Sequence, residues 1–146
     1  MDPDYRLAVS GRFRVRVYYE DTDHGGVVYH ANYLRFMERA RTEMLREQGL
    51  ELDQLAQEEG AIFAVRRASL DFLAPARFNQ LLQIDTFIRE VRPLRIRFAQ
   101  VISVAEQVLC RAEIEVACLQ AANFRPLRIP EKVLQAFFPS FFREST

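Results

Sequence analysis

Residues 18–34 read Tyr18-Tyr19-Glu20-Asp21-Thr22-Asp23-His24-Gly25-Gly26-Val27-Val28-Tyr29-His30-Ala31-Asn32-Tyr33-Leu34. The stretch places two carboxylates and an imidazole around a glycine turn. Before the turn, apolar and arginine side chains alternate from Arg12 to Tyr19, which predicts a half-buried strand. After it, at about 100° per residue, the apolar side chains of a helix fall on one arc. That arc holds Tyr33, Phe36, Met37, Ala40 and Met44.

This arrangement is suited to carbonyl chemistry. The start of a helix offers unpaired backbone N–H groups and the positive end of a dipole, which favour a developing oxyanion. A neighbouring carboxylate can attack the carbonyl or activate water. Asp and Gly also cluster in turns for structural reasons alone, because Asp caps helices and Gly tolerates positive φ. We interpret Asp21 in that structural way, and His24 as a solvated loop residue.

The complete string resembles the YbgC-type acyl-CoA thioesterases, which have the hot-dog fold and belong to the 4-hydroxybenzoyl-CoA thioesterase class. The resemblance rests on Tyr19, Asp23, the run Gly26-Val27-Val28-Tyr29-His30, Asn32-Tyr33-Leu34 and Glu38-Arg39-Ala40-Arg41-Thr42-Glu43. It continues through Phe63-Ala64-Val65-Arg66-Arg67, Phe72-Leu73-Ala74-Pro75-Ala76-Arg77 and Pro126-Leu127-Arg128-Ile129-Pro130, and so covers residues 12–130. The first motif is highly specific and the later ones are supportive.

The resemblance implies roles for particular residues. Asp23 matches the catalytic aspartate of the family, as nucleophile or general base. Tyr19 and His30 match its companions in the YbgC-type subgroup, and the wider family differs at the His30 position. We expect the backbone N–H of His30 to polarise the thioester carbonyl. We further expect the substrate to contact Gly26, Val27, Tyr29 and Arg66.

The composition is that of one domain over residues 1–146. The 146 residues are 49% hydrophobic and carry a formal charge of zero, which supports a sizeable core and argues against nucleic acid as the main partner. Lys132 is the only lysine. An arginine fork suits the phosphates of coenzyme A, although genomic base composition explains the same bias. The arginine candidates for these phosphates are Arg66, Arg67, Arg92, Arg95 and Arg128.

Several other classes of protein are disfavoured. The sequence has no apolar run long enough to span a membrane and no signal peptide at Met1–Arg6, which predicts a cytoplasmic protein. Cys110 and Cys118, on one predicted strand, would stand about 26 Å apart, so we expect core thiols without a disulfide. Zinc spacing, a P-loop, a dinucleotide fingerprint and a Gly-x-Ser-x-Gly elbow are all missing from the sequence. We therefore expect no metal, cofactor or serine triad.

The remaining chain predicts an α+β fold. A helix from His30 or Ala31 to Gln48 stops at Gly49, and a short helix over Asp53–Glu59 stops at Gly60. The four further apolar segments are Ala61–Leu73, Leu81–Val91, Leu94–Val104 and Val108–Ala121, and Glu131–Phe138 predicts a last helix. With the first strand, they predict a five-stranded antiparallel sheet wrapped around one long central helix.

The sequence also bears on how copies of the chain assemble. The resemblance implies that two protomers join into a continuous sheet, often paired again as a homotetramer, and an association with the Tol–Pal envelope system or with phospholipid-synthesis enzymes. The phenylalanine-rich residues 137–142 predict burial on the domain or at an interface, with peripheral contact at the inner membrane as the alternative.

Two other functions stay open. One is a hot-dog hydratase or dehydratase, whose Asp-x-x-x-x-His spacing is lacking here, and the other is a non-catalytic partner protein.

Overall fold

The computed structural model describes residues 10–137, and Phe137 only through its backbone. The strands are β1 (Gly11–Arg16), β2 (Ala61–Phe72), β3 (Leu81–Val91), β4 (Arg95–Val104) and β5 (Gln107–Gln120). The helices are α1 (His30–Glu47), α2 (Leu52–Glu59) and α3 (Glu131–Phe137). The strands form one antiparallel sheet in the order β1-β3-β4-β5-β2, so β1 and β2 are its edges. The predicted five-stranded sheet with one long helix is confirmed.

Helix α1 packs its predicted apolar face on this sheet. All five residues of the apolar arc are buried, and Asn32 is buried with them. They join a core in which alternate residues of β3, β4 and β5 face the helix, among them Ile84, Ile102 and Ile114. Apolar burial of this kind is the main favourable term in folding, which explains why the period-3.6 and period-2 patterns predict the layers.

The glycine stops are confirmed. Gly49 follows α1 with a φ of +80°, and Gly60 caps α2 with a φ of +64°. This left-handed conformation is cheap only for glycine, which explains why each helix ends where it does. The strand and helix bounds otherwise differ from the predicted ones by at most one residue, where these residues are described.

The first strand is shorter than predicted. It ends at Arg16, and Tyr19–Asp21 forms a single 3₁₀ turn instead of continuing the strand. Asp21 causes the change, because its Oδ2 accepts a 2.8 Å hydrogen bond from the N–H of Tyr18. The side chain thus draws the backbone into a turn, and Tyr19 leaves the face on which Phe13 and Val15 pack. The interpretation of Asp21 as a residue that holds the turn is confirmed.

Three expectations concern the whole chain. Within residues 10–137, no helix is both long and apolar enough to cross a membrane. Cys110 and Cys118 are buried and free, as predicted. The opening residues 1–6 and the phenylalanine-rich segment beyond Phe137 lie outside the described residues, as does the predicted helix end at Phe138.

Candidate active site

The loop between β1 and α1 brings most of the predicted site residues together. Asp23 is exposed, and its Oδ1 accepts a 3.0 Å hydrogen bond from the N–H of Gly25. Its backbone N–H donates to the carbonyl of Val27 at 2.9 Å, and its carbonyl accepts from Gly26 at 3.1 Å. Gly26 has a φ of +73°, which suits glycine in this tight turn. The turn therefore fixes the carboxylate on its surface, and within residues 10–137 no donor contacts Oδ2.

A second set of contacts ties this loop to the helix. Asp21 is central, because its carbonyl accepts hydrogen bonds of 3.0 Å from both the N–H of Tyr29 and the Nδ2 of Asn32. Tyr29 is the N-cap of α1, and its carbonyl accepts from the N–H of Asn32 at 2.8 Å. These bonds hold the acidic turn against the first turn of α1, so Asp23 and the helix start keep a defined relationship.

The helix start is open. His30 is the first residue of α1 and is exposed, and its ring lies 4.4 Å from that of Tyr29, centroid to centroid. Across the described part of the chain, the backbone N–H groups of His30 and Ala31 donate to no acceptor. Two free donors at the positive end of an 18-residue helix are suited to an oxyanion. Across the same residues, no hydrogen bond or ion pair joins His30 to Asp23.

Tyr19 lies in the 3₁₀ turn rather than in the predicted strand. Its ring stacks on that of Phe78, with centroids 3.8 Å apart and planes inclined by 9°, and it is 74% exposed. It is therefore neither a core residue of the strand nor, within the described residues, hydrogen-bonded to the Asp23 carboxylate. The sequence analysis did not identify Phe78. This residue lies 59 positions after Tyr19, and no local pattern relates it to the loop. The neighbouring Ala76-Arg77 belongs to a motif that supported the resemblance.

Residues 76–78 form the wall behind the loop. Val28 donates to the carbonyl of Ala76 at 2.8 Å, and Phe78 donates to the carbonyl of Gly26 at 3.2 Å. The N–H of Ala76 in turn donates to the hydroxyl of Tyr33 at 3.0 Å, deep in the protein. Tyr33 thus links the core face of α1 to the wall of the site, and burial raises its pKa above the usual value.

Arg66 lines a cleft that this loop does not border. Two other arginines predicted to bind the phosphates of coenzyme A line the same cleft. Arg66 occupies a bulge of β2, where the register with β5 shifts between Val65 and Arg67. Arg66, Arg92 and Arg95 line one cleft of about 670 Å³ at the start of β4 and the end of β5. Arg67 and Arg128 are exposed and do not line it.

The charges in and beside this cleft do not balance, counting Arg97, which does not line it but shares a carboxylate with Arg92. Arg66 and Arg95 share Glu115, at 3.7 and 3.8 Å, while Arg92 and Arg97 share Glu90. Four guanidinium groups therefore meet two carboxylates, which leaves a positive surface that can take phosphate.

Glu38 and Glu43 on α1 differ in their contacts. Glutamates one helical turn from arginines, as both of these are, are expected to form ion pairs with them, and Glu43 does so with Arg46. Glu38 forms no ion pair within residues 10–137, contrary to expectation, and borders a cavity of about 230 Å³ between α1 and the sheet. Arg41 borders the same cavity and was also missed. A signal was present in the sequence, because Arg41 falls about 40° from Met37 on a helical wheel, at the edge of the apolar arc.

The chain is similar to known proteins over most of its length. Residues 17–137 match the model of the Thioesterase-like superfamily. The chain is 42% identical over 125 residues to the acyl-CoA thioesterase YbgC of Haemophilus influenzae, covering 86% of this chain and 92% of that protein. It is 44% identical over 127 residues to the acyl-CoA thioester hydrolase YbgC of Escherichia coli, covering 86% and 94%.

A solved structure agrees with these relatives. The crystal structure of a probable thioesterase from Bartonella henselae superposes with a TM-score of 0.78 at 40% identity, covering 82% of this chain and 98% of that one. Sheet, helix and connections are thus those of a known fold.

Proposed function

This chain belongs to the thioesterase-like superfamily, with the hot-dog fold, and we propose that it hydrolyses acyl-CoA thioesters to the free acid and CoA, with Asp23 as the catalytic carboxylate. One observation supports this mechanism above the others. The exposed carboxylate of Asp23 is held by its turn beside a helix start whose first N–H groups are free. A nucleophile or base next to oxyanion donors is the arrangement that acyl transfer needs.

The chemistry can follow two routes through the same carboxylate. As a nucleophile, Oδ2 of Asp23 attacks the thioester carbon, the C–S bond breaks, CoA leaves as thiolate, and water hydrolyses the mixed anhydride. As a general base, Asp23 takes a proton from water, whose oxygen attacks the same carbon and expels the thiolate. A single turnover in ¹⁸O-labelled water distinguishes the two routes, because only hydrolysis of the mixed anhydride can place the label in the Asp23 carboxylate.

The start of α1 stabilises the negative charge that develops on the thioester during hydrolysis. In both routes the carbonyl oxygen becomes negative, and the free N–H groups of His30 and Ala31 can donate to it without reorganisation. The imidazole of His30 is exposed beside them and can orient water or protonate the leaving thiolate. Gly26, Val27 and Tyr29 form the backbone and side-chain surface between Asp23 and this helix start, which is why we assign them to substrate contact.

The arginine cleft is the proposed site for the phosphates of CoA. Its support is the grouping of Arg66, Arg92 and Arg95 and the excess of guanidinium over carboxylate groups. Arginine binds phosphate through paired N–H donors, and the partly exposed ion pairs with glutamate are weak enough to be exchanged for it.

A homodimer, or a homotetramer built from it, is the proposed assembly. Strand β2 is an edge of the sheet, and residues 65–69 at its centre are all exposed. An exposed edge offers unpaired backbone groups for another strand. Antiparallel pairing of two β2 strands about this centre places Phe63 of one copy near Phe72 of the other. Phe72 contacts Tyr33, at the start of α1, so the cavity beside Phe63 in one copy would lie near Asp23 of its partner.

Location and further partners are proposed from the YbgC-type resemblance alone. On that basis the protein works in the cytoplasm or peripherally at the inner membrane, in association with the Tol–Pal system or with phospholipid-synthesis enzymes.

One assay tests the function. Purified protein is incubated with acyl-CoAs of different chain lengths, while free thiol is measured and the acyl products are identified. Hydrolysis releases thiol in step with free acid. A hydratase changes the acyl chain without releasing thiol, and a binding protein does neither, so either result would refute the proposal.

A further inference from the structure

The cavity between α1 and the sheet has mostly apolar walls and three polar residues contributed by α1. Its volume of about 230 Å³ is bounded by side chains from α1 and from four of the strands. The apolar walls include Phe63, Val65, Ile88, Ile96, Phe98 and Val116. The polar side consists of Glu38, Arg41 and Thr42 on α1, of which Glu38 is exposed. The cavity therefore suits an apolar group that carries a polar atom at one end.

Arg41 is held at this cavity by a buried network. Its Nη1 donates a 2.8 Å hydrogen bond to Oε1 of Gln100, a side chain without solvent exposure. The Nε2 of Gln100 donates to the carbonyl of Met37 at 3.0 Å and to the hydroxyl of Thr86 at 2.9 Å. Because both donors of the amide are used, its oxygen must face Arg41. The guanidinium is thus positioned by groups from α1, β3 and β4.

The charge of Arg41 lacks a close counterion. Among the described residues, no carboxylate forms an ion pair with it, and Glu38 acts on it only through space. Burial lowers the pKa of Arg41 to about 10, so the group stays charged at neutral pH. A partly buried cation with one side-chain acceptor and several unused donors is costly unless another acceptor reaches it.

We propose that this cavity receives the acyl group of the substrate, and that Arg41 selects short acyl groups with an oxygen at the far end, as a terminal carboxylate or hydroxyl. The inference rests on the proposed thioesterase function. The size limit follows from the volume, since an apolar cavity of about 150 Å³ binds benzene and 230 Å³ therefore takes roughly nine heavy atoms.

The reacting carboxylate for this cavity comes from the second copy. Arg41 lies eleven residues after His30 on α1, which corresponds to about 16 Å along the helix axis and exceeds the length of a short acyl group. The pairing of β2 edges proposed above brings the partner's helix start to the cavity instead.

Three acyl groups of equal carbon number test the inference. Hexanoyl-CoA, 6-hydroxyhexanoyl-CoA and adipoyl-CoA differ only in a terminal methyl, hydroxyl or carboxylate. We expect the wild type to show at least about tenfold higher kcat/KM for one or both oxygen-bearing groups than for hexanoyl-CoA, and the favoured one identifies the terminus. Equal values for all three would overturn the inference while leaving the thioesterase function intact.

Substitutions test whether Arg41 causes the preference for oxygen-bearing acyl groups. R41M should reduce the preference about ten- to a hundredfold, because it keeps an unbranched apolar stem and removes the guanidinium donors. R39M is the matched control, since Arg39 lies over the Phe36 ring, 5.9 Å from its centroid, and does not border the cavity. An unchanged preference in folded R41M would exclude Arg41. If R41M does not fold, R41K takes its place, because it keeps the charge without the planar fork and should lose several-fold.

Measurements of binding without turnover test this inference separately from the proposed function. The same three acyl groups attached to CoA through a non-hydrolysable thioether give dissociation constants without turnover. Absence of hydrolysis would refute the function alone. Tighter binding of an oxygen-bearing thioether, lost in R41M, supports the cavity assignment, and equal affinities overturn it.

Discussion

The N–H of Gly25 lies 3.0 Å from Oδ1 of Asp23 and donates a hydrogen bond to it. This single contact fixes the carboxylate on the turn between β1 and α1 and occupies one of its two oxygens. A purely structural aspartate makes the same contact in a turn, so only substitution separates the structural role from the catalytic one.

Replacing Asp23 with Asn should abolish turnover and leave the fold and oligomer intact. The amide oxygen can still accept from Gly25, but the side chain can neither attack a carbonyl nor take a proton. The steady-state kcat/KM for the best acyl-CoA is the measurement. Glu20→Gln is the matched control, because Glu20 is an exposed carboxylate of the same loop and should retain full activity. More than about a tenth of the wild-type value in Asp23→Asn, a loss below about 1.4 kcal/mol, would remove Asp23 from the mechanism.

His30→Ala should slow turnover and leave a measurable rate. Its backbone N–H remains at the helix start, while loss of the imidazole removes a contribution of roughly 10²–10⁴-fold if it moves a proton. His24→Ala is the control, since His24 is exposed in the same loop. If folded His30→Ala were as inactive as Asp23→Asn, an Asp–His pair would replace the proposed carboxylate and helix start.

Tyr33→Phe should destabilise the protein by about 1–3 kcal/mol, measured as the free energy of unfolding in urea. The substitution leaves the N–H of Ala76 buried without its acceptor, and Tyr33 is only 3% exposed. Tyr18→Phe removes a hydroxyl from a side chain that is 60% exposed and should change stability by less than about 0.5 kcal/mol. Equal effects of the two changes would show that the Tyr33 contact contributes little.

The native thiols should resist labelling. Burial raises the pKa of Cys110 to about 12 and that of Cys118 to about 11, so almost no thiolate exists at pH 8. A thiol reagent should modify neither cysteine in the native protein and both in guanidinium. Because the native pKa values are raised, the stability contributed by the neutral thiols is complete below the unfolded value of about 8.5 and declines as the pH rises above it. Rapid labelling of the native protein would contradict the burial, and would also disturb the thiol assay.

The protein should sediment as a homodimer or homotetramer at micromolar concentration. The reason is the exposed centre of the β2 edge, which a second copy can pair. Sedimentation equilibrium gives the mass directly. A well-folded monomer that still hydrolyses acyl-CoA would exclude a site shared between two copies.

The sequence by itself determined the local structure and the identity of the central loop. The apolar arc of α1, the bounds of β3 and the stops at Gly49 and Gly60 follow from periodicity and from the conformational freedom of glycine, which act over a few residues. The family assignment follows from the closely spaced string around Asp23, for the same reason.

Only the tertiary structure decided which distant side chains meet. The 3₁₀ turn moves Tyr19 onto Phe78, and antiparallel pairing of β4 with β5 and of β5 with β2 brings Arg95 and Arg66 to one glutamate. Arg41 acquires its role only because Gln100, 59 residues later, lies beneath α1. These contacts depend on sheet register and on the packing of layers, which no local pattern in the sequence specifies.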